Sequence, residues 1–153
     1  MPKQLSDFQV FPKHVGTWSG YWIRMDANAQ ETERFEAEIT QKIVDNQWLQ
    51  TNTYYYADGR IVTNDFVGKV ISNDEIEIEA LDVPAWGGFT TIAREHADNI
   101  IIFNVWNKAT GNLLATEMIN LVNQDNKCRT SQSFTEDGKL KGLMLIVEKR
   151  ISN

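Results

Sequence analysis

Few residues in this chain combine a reactive type with an informative spacing, and Asp82 is the first of them. It follows Ile76, Ile78 and Ala80 at intervals of two, and every second residue of a strand shares a face. Asp82 therefore extends an apolar face just before Pro84-Ala85-Trp86-Gly87-Gly88. Desolvation beside Trp86 would raise its carboxyl pKa and poise it as a general base or a ligand-orienting group. If the strand ends earlier, Asp82 is an exposed turn residue. Arg24 shares the parity of Trp18, Gly20 and Trp22. At a pocket mouth its guanidinium pairs with a ligand carboxylate or polarises a carbonyl; otherwise it makes a salt bridge across the rim. In Tyr54-Tyr55-Tyr56, adjacent side chains point oppositely, so either Tyr55 or the Tyr54/Tyr56 pair faces inward, where a phenol can bind a ligand.

Other groups are weaker signals. Asn52, Asn104, Thr116 and Gln132 are polar residues in otherwise apolar segments, the kind that orient a ligand in a greasy pocket. Outward exposure explains them equally well. Trp22, Trp86 and Trp106 are candidate pocket walls. His14 reads as a structural histidine, and His96, ending a strand beside Glu95 and Asp98, as a solvated hairpin end or a proton shuttle. Cys128 is the only cysteine, so an internal disulfide is impossible and a buried inert thiol is expected. One cysteine and two histidines make no zinc set, and no metal site or cofactor is expected. Nucleotide-binding glycine loops and nucleophile elbows are absent.

These residues need elements to position them, and the elements are strands. Turn-forming clusters recur at Asp26-Ala27-Asn28, Asp45-Asn46, Ala57-Asp58-Gly59, Ser72-Asn73-Asp74, Asp98-Asn99, Thr110-Gly111-Asn112, Asn123 to Asn126 and Asp137-Gly138. Between them lie about ten short segments rich in β-branched and aromatic residues: roughly 16–26, 32–44, 47–57, 60–71, 75–83, 88–97, 99–108, 113–123, 127–136 and 139–151. Glu75-Ile76-Glu77-Ile78-Glu79-Ala80 alternates as a half-buried strand does. Asn99 to Trp106 is apolar on both parities, so alternation cannot separate its faces. Helix has room only between Ser6 and Val15, as one turn capped by Ser6 or Asp7 with Phe8 and Phe11 facing inward. Gaps this short favour hairpins, and a long meander avoids exposed edges best by closing on itself. The expectation is an all-β, antiparallel up-and-down barrel of about 8–10 strands spanning residues 1–153 as one domain. A sandwich is the alternative.

Composition narrows the partners. Fifteen basic against twenty-one acidic residues give a net charge of −6, which repels phosphate backbones and anionic headgroups. Neither nucleic-acid binding nor membrane insertion is expected. No apolar run has the length of a signal peptide or a bilayer span, and a cytoplasmic protein is the expectation.

The opening His14-x-Gly16-Thr17-Trp18-x-Gly20-x-Trp22 resembles the Gly-x-Trp signature of lipocalins and related calycins. That resemblance implies that Trp18 closes one end of the barrel against an arginine from a late strand, Arg129 or Arg150. Together with Thr51-Asn52-Thr53-Tyr54-x-Tyr56-Ala57-Asp58-Gly59 and a last hairpin from Arg129 through Phe134, Asp137-Gly138 and Leu140 to Leu145-Ile146-x-Glu148, it is similar to a cyanobacterial domain-of-unknown-function family with lipocalin-like barrels. The long helix after the last strand of true lipocalins has no counterpart here, which points to a cousin rather than a secreted lipocalin. The function that follows is binding of a small, mostly apolar ligand inside the barrel. The alternative is a cofactor-free isomerase or cyclase working on an apolar substrate by acid/base chemistry, with Asp82, Arg24 and a tyrosine as its team. An assembly role ranks third.

Overall fold

The computed structural model describes residues 2–153. Two short 3-10 turns, Leu5–Asp7 and Phe11–His14, precede ten antiparallel strands: β1 (Gly16–Asp26), β2 (Glu31–Val44), β3 (Gln47–Tyr55), β4 (Ile61–Val70), β5 (Glu75–Ala80), β6 (Phe89–His96), β7 (Ile100–Asn107), β8 (Leu113–Asn123), β9 (Asn126–Phe134) and β10 (Leu140–Ser152). Each strand pairs with its neighbours in sequence, and β1 pairs with β10 to close the barrel. The expected meander is what forms, and closure leaves no edge strand to attract another chain.

The main boundary difference is β5, which ends at Ala80 rather than continuing to Val83. Beyond Ala80 the Leu81 N–H donates to the Asp65 carbonyl at 2.9 Å, and the chain turns into a 3-10 turn at Pro84–Gly88. Proline supplies the first position of that turn, where its missing N–H is no loss.

The loops alternate between two ends. At one end, the floor, the N-terminal turns fold beneath the barrel and bury Leu5, Phe8, Val10 and Phe11 against Trp48, Ile76, Ala93 and Ile101. Each such side chain taken out of water contributes roughly 1.5–3 kcal/mol. Phe8 and Phe11 face inward as expected, but neither Ser6 nor Asp7 makes a side-chain cap. The free backbone donors go elsewhere: the Glu95 carboxylate of β6 accepts from the N–H groups of Gln9, Val10 and Phe11 at 2.7, 2.6 and 3.2 Å. The Asn46 side-chain carbonyl accepts from Leu5 N–H at 2.6 Å. At the opposite end, the mouth, Trp86 of the Pro84–Gly88 turn packs edge-on against Phe66 and Phe89.

Gly16 explains one part of the opening motif. Its φ of +138° suits glycine, and a Cβ there would lie 2.6 Å from an Arg150 nitrogen. Its absence lets that arginine reach across the floor.

Candidate functional site

A cavity of about 820 Å³ runs down the barrel from the mouth to the floor. Strand alternation decides what lines it. Phe66, Ile78, Ala93, Ile101, Phe103 and Val105 of β4 to β7 give one wall an apolar surface. The facing wall, from β2, β3, β8 and β9, presents Gln41, Gln50, Asn52, Tyr54, Glu117, Lys127, Arg129, Ser131 and Ser133. The cavity is therefore two-sided: greasy on one wall, polar and ionised on the other.

The deep end is built around Trp18, which is fully buried. Its indole N–H donates to the His14 carbonyl at 2.8 Å. Two cations lie over its ring, Lys127 Nζ at 4.0 Å and the Arg150 guanidinium at 4.3 Å from the centroid. Desolvated cation–π contacts of this kind are worth about 2 kcal/mol each. Arg150 also donates to the carbonyls of Val15, Lys13 and Gln124 at 2.5, 2.7 and 3.0 Å, which ties the last strand to the chain entering the first. Of the two arginines implied for Trp18, Arg150 takes the place, and Arg129 stands 4.9 Å over Trp22 instead.

Arg129 is the hub of a buried ion network. Its Nε and Nη2 donate to one Glu117 oxygen at 2.8 and 2.7 Å, and its Nη1 lies 3.6 Å from Glu148. Burial alone would lower the Arg129 pKa, but Glu117 and Glu148 more than offset that and raise it. Burial pushes the Glu117 carboxyl up from its ordinary value, against the pull of Arg129. Removing one member of such a pair typically costs about 3–5 kcal/mol, because it strands the other charge. Lys127, only 2% exposed, donates to Gln41 Oε1 at 2.9 Å and sits 3.1 Å from His14 Nδ1. Burial is the main reason its pKa falls from 10.5 to about 7. Burial, followed by the Lys127 charge, holds His14 well below its ordinary value and keeps it neutral.

From Lys127 an ordered amide chain runs up the wall. Gln41 Nε2 donates to Gln50 Oε1 at 3.0 Å, as does Trp48 Nε1 at 3.1 Å. Gln50 Nε2 donates to Asn52 Oδ1 at 2.9 Å, and Asn52 Nδ2 to the Tyr54 hydroxyl at 2.8 Å. Burial raises the Tyr54 pKa, so its phenol stays protonated and has its hydrogen to give. Against this fixed background the unpaired groups stand out: His14 Nε2, Trp22 Nε1 and Thr91 Oγ1 are buried, line the cavity and have no hydrogen-bond partner.

The residues named from sequence divide cleanly. Trp22, Asn52, Tyr54 and Trp86 line the cavity, and Arg24 stands at its mouth. Arg24 makes the rim salt bridge, to Glu33 at 3.4 Å, and lies 5.6 Å over Phe35. The Tyr54/Tyr56 pair is the inward one, with Tyr55 exposed; Tyr56 packs on Phe35 at 4.8 Å rather than lining the cavity. Asp82 requires correction. The early end of β5 leaves it exposed in the turn, outside the cavity, so it does not meet Arg24. Asn104, Trp106, Thr116 and Gln132 also require correction. Ile101, Phe103 and Val105 take the inward parity of β7, Ala115 and Glu117 that of β8, and Arg129 and Ser131 that of β9, which turns those four outward. Thr116 and Gln132 border a second, smaller pocket with Ile102 and Met118.

Glu117, Lys127, Gln41, Gln50 and Thr91 have no place in the sequence reading, and Glu148 enters it only as part of the last-hairpin motif. Alternation carried the signal: Glu117 is in phase with Ala115, Ile119 and Leu121, and Glu148 with Met144 and Ile146.

No protein-family model and no curated protein sequence matches the chain. Solved structures do. A protein of unknown function from the DUF3598 family of Nostoc punctiforme PCC 73102 superposes with a TM-score of 0.68 at 14% identity, over 92% of this chain and 49% of that one. This chain thus spans about half that protein's length. The S-type phycobiliprotein lyase CPES from Guillardia theta gives 0.61 at 14% identity, over 94% of this chain and 90% of the lyase. Rv2717c from M. tuberculosis gives 0.62 at 14% identity, over 90% and 92%. At such low identity the likeness is one of architecture, and the chain has the closed, lipocalin-like antiparallel β-barrel fold.

Proposed function

We propose that the barrel binds one small, mostly apolar molecule in its interior. The carrying observation is the cavity of about 820 Å³, open at an aromatic mouth, apolar on one wall and polar at its deep end. Small-molecule pockets have this character and run roughly 300–1,000 Å³. Fatty acids, isoprenoids and pigments fit the description. The shared fold with a phycobiliprotein lyase adds a bilin to the candidates, without ranking it above the others, since fold does not fix function.

The test is fluorescence titration with 1-anilinonaphthalene-8-sulfonate, followed by displacement with a fatty acid, retinol and biliverdin. One saturable site is expected, and at least one of the three should displace the probe. Ala115→Trp with Val105→Trp, both projecting into the cavity, should weaken probe binding by about tenfold or more. Undiminished binding in a folded double variant would place the probe outside the barrel and overturn the reading.

A second reading, a cofactor-free isomerase or cyclase, is favoured by one observation. Glu117, with its pKa raised by burial, and Lys127, titrating near 7, line the same cavity. Proton-transfer groups at functional sites are often perturbed in these directions. Asp82 and Arg24 have no part in this version. It stands only if Glu117→Gln abolishes turnover of some cavity ligand that the variant still binds.

A further inference from the structure

The deep end of the cavity leaves two donors that face it, His14 Nε2 and Trp22 Nε1, without a partner. Both oxygens of the fully buried Glu148, which does not line the cavity, are likewise without a hydrogen bond. Lys127 Nζ sits against His14 Nδ1, so with Lys127 protonated Nδ1 is the acceptor and the imidazole hydrogen is on Nε2. That Nε2–H has no partner, and neither does Trp22 Nε1–H. Both residues are more than nine-tenths buried and both line the cavity. They lie on either side of the cation pair of β9: His14 touches Lys127, and Trp22 lies under Arg129.

The two cations differ in how they are neutralised. Arg129 has Glu117 and Glu148 within salt-bridge distance. Lys127 has no carboxylate oxygen within 4 Å among the described residues, although Glu148 is its register partner on β10. Its near neighbours are the neutral Gln41 and His14 and the Trp18 ring. Glu148 and Glu117 act on Lys127 from beyond contact distance, and Arg129 and Arg150 oppose them. The cluster of three cations and two carboxylates therefore keeps a net positive charge that an anion reaching the ammonium would offset.

We propose that this end of the cavity receives a carboxylate head group, with Lys127 as its counter-ion and His14 Nε2–H and Trp22 Nε1–H as its hydrogen-bond donors. This rests on the ligand-binding reading above and narrows it to an amphipathic acid whose apolar body extends along Ile78, Phe103 and Val105 toward the mouth. A carboxylate offers about four acceptor sites and forms charge-assisted bonds roughly twice as strong as neutral ones. An alcohol can accept but leaves the ammonium uncompensated. An amine adds a positive charge to a cluster in which Lys127, Arg129 and Arg150 already outnumber Glu117 and Glu148.

The site also couples binding to protons. The charged groups around Lys127 are Glu117 on β8, Arg129 on β9, and Glu148 and Arg150 on β10; His14, on the N-terminal turn, is neutral. Free Lys127 titrates near 7, and a bound carboxylate favours its charged form. Acid binding should therefore take up a proton, and its affinity should fall as pH rises above about 7.

The experiment is calorimetric titration of the full chain with dodecanoic acid, dodecan-1-ol and dodecylamine, which share one tail. The acid should bind about tenfold more tightly than the alcohol and the amine most weakly. The acid's affinity should drop between about pH 6.5 and pH 9 in the native chain and stay level in Lys127→Met. Trp22→Phe, which keeps a ring and removes the donor, should weaken the acid about fivefold and the alcohol about twofold, since the bond to a carboxylate is the stronger. If acid, alcohol and amine bind alike, the head-group assignment is overturned while cavity binding stands. If none binds, both readings fall. The comparison of the three ligands needs no variant, so it holds even if a substitution does not fold.

Discussion

Lys127 places a positive charge where the fold would be more stable without one. In the folded chain it titrates near 7, against 10.5 when exposed, and burial is the first cause. Between those two values the unfolded chain holds a proton that the folded chain has lost. Stability contributed by this group therefore rises as pH increases from about 7 toward 10, and the penalty is full below 7. Thermal melts of the native chain should show that rise, and Lys127→Met should flatten it; equal slopes would mean the ammonium is better compensated than its neighbours suggest. At this scale, legibility followed the contrast between faces. Trp22 was readable because it shares the parity of Trp18, whereas β3 is mixed on both parities and left Asn52 and Tyr54 open. The parity of β7 was hidden because Ile100 to Val105 is apolar on both faces apart from Asn104. Glu117 and Lys127 escaped notice, and Glu148 went unmarked as an ion-pair partner, because charged residues are ordinarily solvated. Their pairing comes from strands distant in sequence, which no local pattern displays.

The N-terminal turns behave as a stopper held by one side chain. Glu95 accepts three backbone N–H groups of the segment Gln9–Phe11, replacing the local cap expected of Ser6 or Asp7. Glu95→Ala would strip all three and should cost about 2–4 kcal/mol, since buried donors left unpaired cost about 1–3 kcal/mol each and some will rehydrate. Urea unfolding would measure the loss, and protease cleavage ahead of Gly16 should speed up in the variant. A change below about 0.5 kcal/mol would show that the apolar contacts of Leu5, Phe8 and Phe11 hold the stopper unaided. Strand positions were readable from turn chemistry, and all ten fall within a few residues of the segments drawn from sequence. β5 overran because Leu81 and Val83 look like strand residues, whereas after one last bond from Leu81 N–H to Asp65 of β4 the chain turns away into Pro84–Gly88. Tertiary pairing with β4, which ends at the Phe66–Ala80 partners, settles that boundary.

At the scale of the whole molecule, a barrel was legible from the strand pattern, but its closing contact came only from the resemblance, which left Arg129 and Arg150 as alternatives. Nothing local says that Trp18 will lie beside Arg150, yet that pairing turns a curled sheet into a container. The ionised cluster sits across this junction: Trp18 comes from β1, Lys127 and Arg129 from β9, Glu148 and Arg150 from β10. The first strand to leave the ribosome waits, with one side unpaired, until the last one emerges. A nascent chain stalled before Leu140 should leave the amides of Gly16–Asp26 cleavable by protease, and release of the full chain should protect them at once. Protection already present in the stalled chain would mean that some other partner shelters the first strand in the interim.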